Sequence, residues 1–438
     1  MRSHRWHHLH VLGLMLIGMA IAGGGTTAVA GASVDFLTTA SLLSDSSTQS
    51  QPVVAEPAAV GDTYVDPVFG TTIQRVTKSP APGSSSGPAG ITPEYSKAQA
   101  WSANQSRVLL RGTDASWHLY NGVDFSGPLP LSLPVGDIEP RWSPTNPNRI
   151  YYLLGRSVYS YTVSSGASRR ITRVRGLGGE LTSGAEQDIP LGGLRLVVHG
   201  PEHYDARGRW SWTRAAVVDL ATGKVGRRIT LRRPAGSSGD FLDYVAIAPD
   251  GRRLIVMWAF HGADLYTRRW KRLRRLTSWD EHGDFCRDTS GKWWFVQARY
   301  RPVPNDELIV ASSLDGLARR SLWMAPRYNL AVHISCRNQR MPGWAFVSTY
   351  WDGLGQRPDD APIAFENEVF ALSLQSSVAT PVVRRLAHTR MNERADYFDE
   401  PHATVSRDGR MVLFASNFGQ YVSDEEYDDT YAIDLRSL

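Results

Sequence analysis

The stretch Val405-Ser-Arg-Asp408-Gly409-Arg-Met-Val-Leu-Phe414 decides the fold of this chain of 438 residues. A short strand leads into a turn of polar residues and glycine, and a strongly apolar second strand follows. Asp-Gly supplies the backbone conformations that a tight hairpin needs, and a continuous apolar strand is typical of a sheet buried on both faces. The same unit recurs at Trp101–Leu110, Trp142–Tyr152 and Ala248–Val256.

Weaker copies of this unit complete a set of seven repeats, at 186–198, 284–296 and 333–347. Alternating third strands follow, such as Ser157–Tyr161 and Thr430–Asp434, and polar outer strands such as Ser168–Thr172 trail them. Repeats of four short strands each are typical of the blades of a β-propeller. The sequence therefore predicts an all-β fold, a seven-bladed β-propeller, with a pair of β-sandwiches as the alternative.

The two ends of the repeat array predict how the ring closes. The last repeat has only three strands and ends near Leu435, whereas the strand Thr71–Thr77 stands alone before the first complete repeat. An unpaired sheet edge is a liability that folded proteins avoid. We therefore expect the N-terminal strand to complete the last blade.

The N-terminus has the pattern of an export signal. Basic residues precede an apolar run from Val11 to Ala22, and small residues end at Ala30. This predicts a signal peptide over 1–30, with an uncleaved membrane anchor as the alternative. Residues 31–60, rich in Ser, Thr, Ala and Val, are predicted as a disordered spacer, and 61–438 as the propeller. The signal peptide therefore predicts a secreted or periplasmic protein that has no membrane span after cleavage.

Basic residues cluster between Arg268 and Arg275, and the formal net charge is +5. Such a cluster is either a solvated strand face or a binding stripe for a polyanion. Because export makes nucleic acid an unsuitable partner, an anionic polysaccharide or oligosaccharide is the ligand expected for such a stripe.

The only two cysteines each follow a histidine, in His282-Gly-Asp-Phe-Cys286 and His333-Ile-Ser-Cys336. Both pairs fall where the first strands of consecutive repeats begin. Two thiolates and two imidazoles form a complete tetrahedral set for a structural zinc ion. A Cys286–Cys336 disulfide is the alternative for an exported protein, and unpaired thiols are a third.

Further polar residues gather at the same position of the repeats, where first strands of a propeller line a central funnel. Those predicted to bind substrate are Tyr95, Lys97, Glu139 and His402.

A second group suits proton transfer and carboxylate binding, because His and Tyr can act as base and acid in β-elimination and Arg can neutralise a uronate. The predicted catalytic residues are His199, His203, Tyr204, His261, Tyr266 and Arg141. Taken singly, each of them also fits an ordinary half-buried aromatic, loop histidine or structural arginine.

The stretch Glu400-Pro-His402 to Asn417, together with Ala248-Pro-Asp250-Gly251, resembles the blade signature of TolB-like, WD40-like propellers and of the propeller polysaccharide lyases, of oligogalacturonate lyase and ulvan lyase type. The resemblance implies a polysaccharide lyase in which channel histidines hold a metal, with His333 and His402 at comparable places. Cys336 departs from that pattern and is closer to the structural zinc of ulvan-lyase-like propellers.

Two functions are therefore expected from the sequence. The first is an exported lyase that cleaves uronate-containing glycans. The alternative is a non-catalytic propeller that binds a protein partner as a scaffold, since a fold does not fix a function.

Overall fold

The computed structural model describes residues 35–80, 88–235, 240–279, 282–299, 308–326, 330–351, 363–391, 400–419 and 428–438. Apart from one short helix, α1 (Phe36–Thr39), all regular secondary structure of the described residues is β-strand. In chain order these are β1 (Thr63–Val65), β2 (Thr72–Arg75), β3 (Ile91–Thr92), β4 (Arg107–Gly112), β5 (Trp117–Asn121), β6 (Leu129–Pro130), β7 (Arg141–Trp142), β8 (Arg149–Leu154), β9 (Ser157–Thr162), β10 (Ala167–Arg173), β11 (Arg195–His199), β12 (His203–Tyr204), β13 (Trp210–Asp219), β14 (Ile229–Arg232), β15 (Leu242–Ile247), β16 (Arg253–Trp258), β17 (Gly262–Thr267), β18 (Arg272–Arg275), β19 (Gly283–Arg287), β20 (Trp293–Arg299), β21 (Leu308–Ser313), β22 (Arg319–Met324), β23 (Leu330–Ser335), β24 (Trp344–Trp351), β25 (Glu368–Ser373), β26 (Val383–His388), β27 (Thr404–Val405), β28 (Met411–Ser416) and β29 (Asp429–Asp434).

The strands form seven antiparallel blades, as predicted. Blades 2 to 6 are the four-stranded sheets β7–β10, β11–β14, β15–β18, β19–β22 and β23–β26. Blade 1 (β3–β6) and blade 7 (β27–β29, β2, β1) share one nine-stranded sheet, because Ile91 forms a parallel bridge with Asp429. Blade 3 has an irregular order, in which β12 and β14 both pair with β13.

Seven hydrophobic clusters fill the spaces between consecutive blades. One of them joins Leu413 of blade 7 to Val108 of blade 1, so the ring is closed. The other six lie between blades 1 and 2, 2 and 3, 3 and 4, 4 and 5, 5 and 6, and 6 and 7. This arrangement excludes the alternative of two β-sandwiches, which would bury one core in each sandwich.

The predicted closing strand is confirmed. β2 pairs antiparallel with β29, with Ile73 opposite Ile433, and β1 adds a fifth strand outside it. The closure is fixed by a buried ion pair between Arg75 and Asp429. The same carboxylate accepts hydrogen bonds from the Thr77 hydroxyl at 3.0 Å and the Ser79 backbone N–H at 2.8 Å.

We expect Asp429→Ala to lower the free energy of unfolding by about 2–4 kcal/mol, because it leaves the buried guanidinium of Arg75 with only the partly exposed carboxylate of Glu56 and removes the acceptor of the Thr77 and Ser79 hydrogen bonds. Asp434→Ala on the same strand is the control. Its ion pair with Arg436 is partly exposed at the surface, where such pairs contribute about 0–1 kcal/mol. Urea unfolding of both variants measures the difference, and equal effects would contradict the assigned role of Asp429.

The prediction of a disordered spacer over 31–60 is corrected for its described part, 35–60. Phe36 and Leu37 are buried against the cluster between blades 6 and 7. Backbone carbonyls of this segment accept hydrogen bonds from the blades, including Leu43 from the Arg385 N–H at 2.9 Å and Pro57 from the Arg75 guanidinium at 2.7 Å. Composition alone missed this because much of the binding uses backbone carbonyls, and few large apolar side chains take part, namely Phe36, Leu37 and the partly buried Leu42.

Two further predictions concern the surface and the N-terminus. The basic cluster falls mainly on β18, the outermost strand of blade 4, where Arg272 and Arg275 are exposed. The predicted signal peptide 1–30 lies outside the described residues. No helix among the described residues is both long enough and apolar enough to cross a membrane.

Candidate metal centre in the funnel

Three side chains from two adjacent blades meet beside the propeller axis. His333 lies in the middle of β23, the first strand of blade 6, while Glu400 and His402 immediately precede β27 of blade 7. Glu400 Oε2 lies 3.2 Å from His333 Nε2 and 3.1 Å from His402 Nε2. One ligand atom from each of the three residues falls within 4.8 Å of the others. Two imidazoles and a carboxylate at this spacing form a donor set for a divalent cation.

The backbone at His402 is held in an unusual conformation. Its φ is 39°, in the left-handed region that side chains other than glycine rarely adopt. Hydrogen bonds fix the residues on either side, since the Pro401 carbonyl accepts from the Ala415 N–H at 2.9 Å and the Ala403 N–H donates to Ser348 Oγ at 3.2 Å. Such backbone strain is typical of functional sites, and here it places His402 beside Glu400.

The electrostatics of the three residues suit a cation. Burial lowers the pKa of His333 to about 4, with the neighbouring His402 acting in the same direction, so His333 is neutral and able to ligate a metal. Burial alone would raise the pKa of Glu400, but the adjacent His333 and His402 hold it below the usual range. Glu400 is therefore ionised.

His333 also meets a test of fit for a metal ligand. It is fully buried; within the described part of the chain its Nδ1 has no hydrogen-bond partner, and its Nε2 has only the Glu400 carboxylate nearby, at 3.2 Å. A buried polar atom without a partner is costly, and a bound cation would satisfy it. Tyr350 stacks on the His333 ring at 5.3 Å between centroids and so fixes its orientation.

A second layer of the site consists of His282 and Tyr95. The Tyr95 hydroxyl lies 2.6 Å from His282 Nδ1, and the His282 ring is 4.5 Å from the His333 ring. Tyr95 also contacts the rings of both His333 and His402, with centroids at 5.5 and 5.1 Å. Burial, followed by the effect of His333, lowers the pKa of His282 well below its usual value. The funnel therefore holds three imidazoles around one tyrosine.

Lys97 provides a positive charge next to this group. Its ammonium forms an ion pair with Glu186 and lies 4.3 Å from the centre of the Tyr244 ring. It is also 5.5 Å from the Tyr95 ring. Lys97 and Glu186 belong to blades 1 and 3, so this pair spans the axis and connects the candidate centre to the other side of the funnel.

The structure forms the Cys286–Cys336 disulfide, which was the alternative to zinc ligation and to unpaired thiols. The set of His282, Cys286, His333 and Cys336 as zinc ligands is therefore corrected, because sulfurs joined to each other are not thiolates. The disulfide joins the first strands of blades 5 and 6. His282 and His333 point instead to the cluster with Glu400 and His402.

Arg141 and Glu139 lie at the funnel but are engaged in structural contacts. Arg141 forms a buried ion pair with Glu94 and donates to the carbonyl oxygens of Ala185 and Gln187. Glu139 accepts hydrogen bonds from Thr182 at 2.5 Å and from the Ser183 N–H at 3.0 Å. These contacts tie blade 2 to blade 3, so both residues shape the funnel wall.

The remaining predicted catalytic residues are not brought together. His199 is buried at the end of β11 and contacts its neighbour's carbonyl, Gly200 O, at 2.8 Å. His203 stacks on Trp212, and the exposed Tyr204 donates to Glu202 at 2.6 Å. His261 contacts Arg275 on the outer strand of blade 4, and Tyr266 packs on Trp270. None of these contacts involves a residue of the candidate centre.

Comparisons with known proteins agree with the fold. The structure is similar to that of oligogalacturonate lyase in complex with manganese, with a TM-score of 0.57 and 14% sequence identity over 85% of this chain and 96% of that one. An oligogalacturonate lyase from Vibrio parahaemolyticus gives a TM-score of 0.56 and 13% identity over the same shares. The sequence matches no protein-family model and no curated protein. At this identity the likeness shows the fold alone, and it confirms the predicted resemblance at that level.

Proposed function

We propose that this protein is an exported, metal-dependent lyase that cleaves uronate-containing oligosaccharides by β-elimination. The observation that carries the proposal is the convergence of His333, Glu400 and His402 at the axis, next to His282 and Tyr95. The similarity to oligogalacturonate lyases supports the same class of activity.

The proposed ligands are His333, Glu400 and His402, with manganese as the first ion to test because the similar lyase structure contains it. When bound there, a divalent ion would supply positive charge that polarises the uronate carboxylate and makes the proton on the neighbouring carbon more acidic.

The chain's own residues supply the proton transfers in this proposal. His282 is the candidate base, since in the tautomer whose Nδ1 donates to the Tyr95 oxygen, its Nε2 carries a free lone pair. The base takes the proton from the carbon that bears the carboxylate, and the electron pair of that C–H bond forms a carbon–carbon double bond. The bond from the next carbon to the leaving sugar oxygen breaks, and that oxygen takes up the proton that His282 abstracted, which returns His282 to its neutral form.

Lys97 is the residue that we assign to the substrate's negative charge. It lies beside Tyr95, and in this proposal its ammonium neutralises the uronate carboxylate, the role that the sequence predicted for Arg141. Arg141 pairs with Glu94 and also donates to the carbonyl oxygens of Ala185 and Gln187, whereas among the described residues Lys97 has the single ion pair with Glu186. The contribution of Arg141 in this proposal is therefore to hold the funnel wall in place.

Export is part of the proposal. A buried disulfide between two blades supports an oxidising compartment, such as the periplasm or the extracellular space. Expression with the native N-terminus in a secreting host, followed by mass measurement of the product, tests it. Loss of about 30 residues is expected, and retention of the whole N-terminus in the cytoplasm would contradict it.

The activity is tested by incubating the chelator-stripped protein, with and without added manganese, with oligogalacturonate, alginate, ulvan and a neutral oligosaccharide. We expect ultraviolet absorbance of an unsaturated product only with a uronate substrate and only after metal addition. Absence of product from all the uronates, together with co-purification of a protein partner, would favour the non-catalytic scaffold instead.

Tyr95→Phe is expected to lower kcat/KM by about 10–100-fold, because it removes the hydroxyl that orients His282, while metal binding is retained. Tyr204→Phe is the matched control, since its hydroxyl contacts Glu202 at the exposed edge of blade 3. Steady-state kinetics and metal analysis check both variants. Wild-type kinetics in Tyr95→Phe would rule out the role of this hydroxyl.

A further inference from the structure

A polar cleft of about 310 Å³ lies between blades 2 and 3, away from the funnel residues. Its size falls at the lower end of the range of small-molecule sites. Elsewhere in this interface, Leu153, Val158 and Leu196 form an apolar cluster. The cleft begins where that cluster ends, at Tyr151.

Strand register arranges three polar side chains in a row along one wall. Tyr151 of β8 lies opposite Ser160 of β9, and Ser160 lies opposite Arg169 of β10. Residues opposite each other in adjacent strands point to the same face of the sheet, so these three side chains face the cleft together. Leu194 and Leu220 of blade 3 form an apolar part of the opposite wall.

Arg149 completes the polar wall. Its Nη1 donates to the Ser160 hydroxyl at 3.2 Å, but its Nε is buried and has no hydrogen-bond partner among the described residues. Because Nε is buried, a ligand in the cleft would bind the guanidinium through its terminal nitrogens. In the part of the chain that the structure describes, neither Arg149 nor Arg169 forms an ion pair with a carboxylate, so both guanidinium groups can take an anionic ligand. Other hydroxyl and amide side chains at the cleft are Ser143, Thr145 and Asn146.

The surface around the cleft carries positive charge. The outermost strands of the two blades that form the cleft are β10 and β14, and neither contains an aspartate or a glutamate. They do contain arginines, namely Arg169, Arg170, Arg173 and Arg232. A long anion would therefore be attracted to this rim, with the cleft as the place where one of its units fits.

We propose that the cleft between blades 2 and 3 is a binding site for one acidic sugar unit of an anionic glycan. Arg149 and Arg169 bind the carboxylate, the hydroxyl and amide groups bind the sugar hydroxyls, and the ring of Tyr151 with Leu194 and Leu220 contacts the apolar face of the sugar. The site holds the glycan on the outside of the propeller, so it does not depend on catalysis in the funnel.

The test is calorimetric titration of the full chain with trigalacturonate, in the presence of a chelator that prevents turnover. We expect Arg149→Ala/Arg169→Ala to weaken binding at least about tenfold, and galactotriose, which lacks carboxylates, to bind neither protein. Because Arg169 is exposed, Arg169→Ala alone is expected to fold normally and to weaken binding about threefold or more.

Arg207→Ala is the matched control and is expected to bind as the wild type does. This exposed arginine precedes β13, whereas Leu220 follows β13, about 30 Å of extended strand away. Wild-type affinity in both cleft variants would overturn the proposal, as would equal binding of galactotriose. If His402→Ala abolishes binding and the cleft variants do not, the funnel alone binds the sugar and the cleft site is refuted, while the proposed lyase function stands.

Discussion

Changing His402 to Ala is expected to lower kcat/KM on uronate oligosaccharides by at least about 10³-fold. Its imidazole is one of three side chains that converge on a point at the axis, and its Nε2 lies 3.1 Å from Glu400 Oε2. Removing it takes away one of the proposed ligands and leaves Glu400 with a single imidazole neighbour, His333. Loss of one metal ligand in a three-residue set commonly abolishes both the bound ion and the chemistry that depends on it.

The matched control for this variant is His203→Ala. His203 also suited catalysis by its residue type, but it stacks on Trp212 at the edge of blade 3. We expect its kcat/KM to stay within about twofold of the wild type, in line with other surface substitutions. Product formation is followed by ultraviolet absorbance. Comparable losses of activity in the two variants, or none in His402→Ala, would remove the funnel from the proposed function.

Replacing both cysteines, in Cys286→Ala/Cys336→Ala, is expected to lower the free energy of unfolding by about 4 kcal/mol. The disulfide closes a loop with a sequence separation of 50 residues, and loop-closure entropy of the unfolded chain gives a stabilisation of this size. Both sulfurs are buried, so the two alanines also leave unfilled volume in the cluster between blades 5 and 6. Urea unfolding under non-reducing conditions measures the effect.

The wild type unfolded in the presence of a thiol reductant is the internal control. Its stability should fall towards that of the double variant, whereas the double variant itself should be insensitive to the reductant. A stability loss below about 1 kcal/mol would show that the bond does not restrain the unfolded chain as expected. Cys286 lies four residues after His282, and Cys336 lies three residues after His333. Because the disulfide holds these two strands together, we also expect the double variant to bind metal more weakly.

The fold was largely predictable because its signals are local and repeated. Turn residues such as Asp408 and Gly409, followed by an apolar strand, identify one hairpin, and seven such hairpins identify the ring. The closing strand followed from counting strands at the two chain ends. The packing of Phe36 and Leu37 had no such signal, since their neighbours in sequence are small and polar.

The candidate site was predictable only in part. His333, His402, Tyr95 and Lys97 were all assigned to the funnel region, because they lie at the start of a repeat, where first strands approach the axis. Residues such as His203 and His261 have side chains that suit catalysis, but they lie in second or third strands or in the loops between them. Such positions are far from the axis, where the candidate centre lies.

Which residues contact one another within the site could not be predicted, because it depends on the oxidation state of the two cysteines and on contacts between blades. The spacing of His282, Cys286, His333 and Cys336 suits zinc and a disulfide equally well. Glu400 was visible two residues before His402, but its contact with His333 joins two blades. Only the closed ring places that carboxylate between the two imidazoles.

Metal titration tests the central claim most directly. The chelator-stripped wild type and the variants His333→Ala and His402→Ala are each titrated with manganese, and bound metal is measured by calorimetry and elemental analysis. We predict one equivalent of manganese bound by the wild type and at least about a hundredfold weaker binding by both variants. No binding by the wild type, or unchanged binding by both variants, would contradict a metal centre at His333, Glu400 and His402.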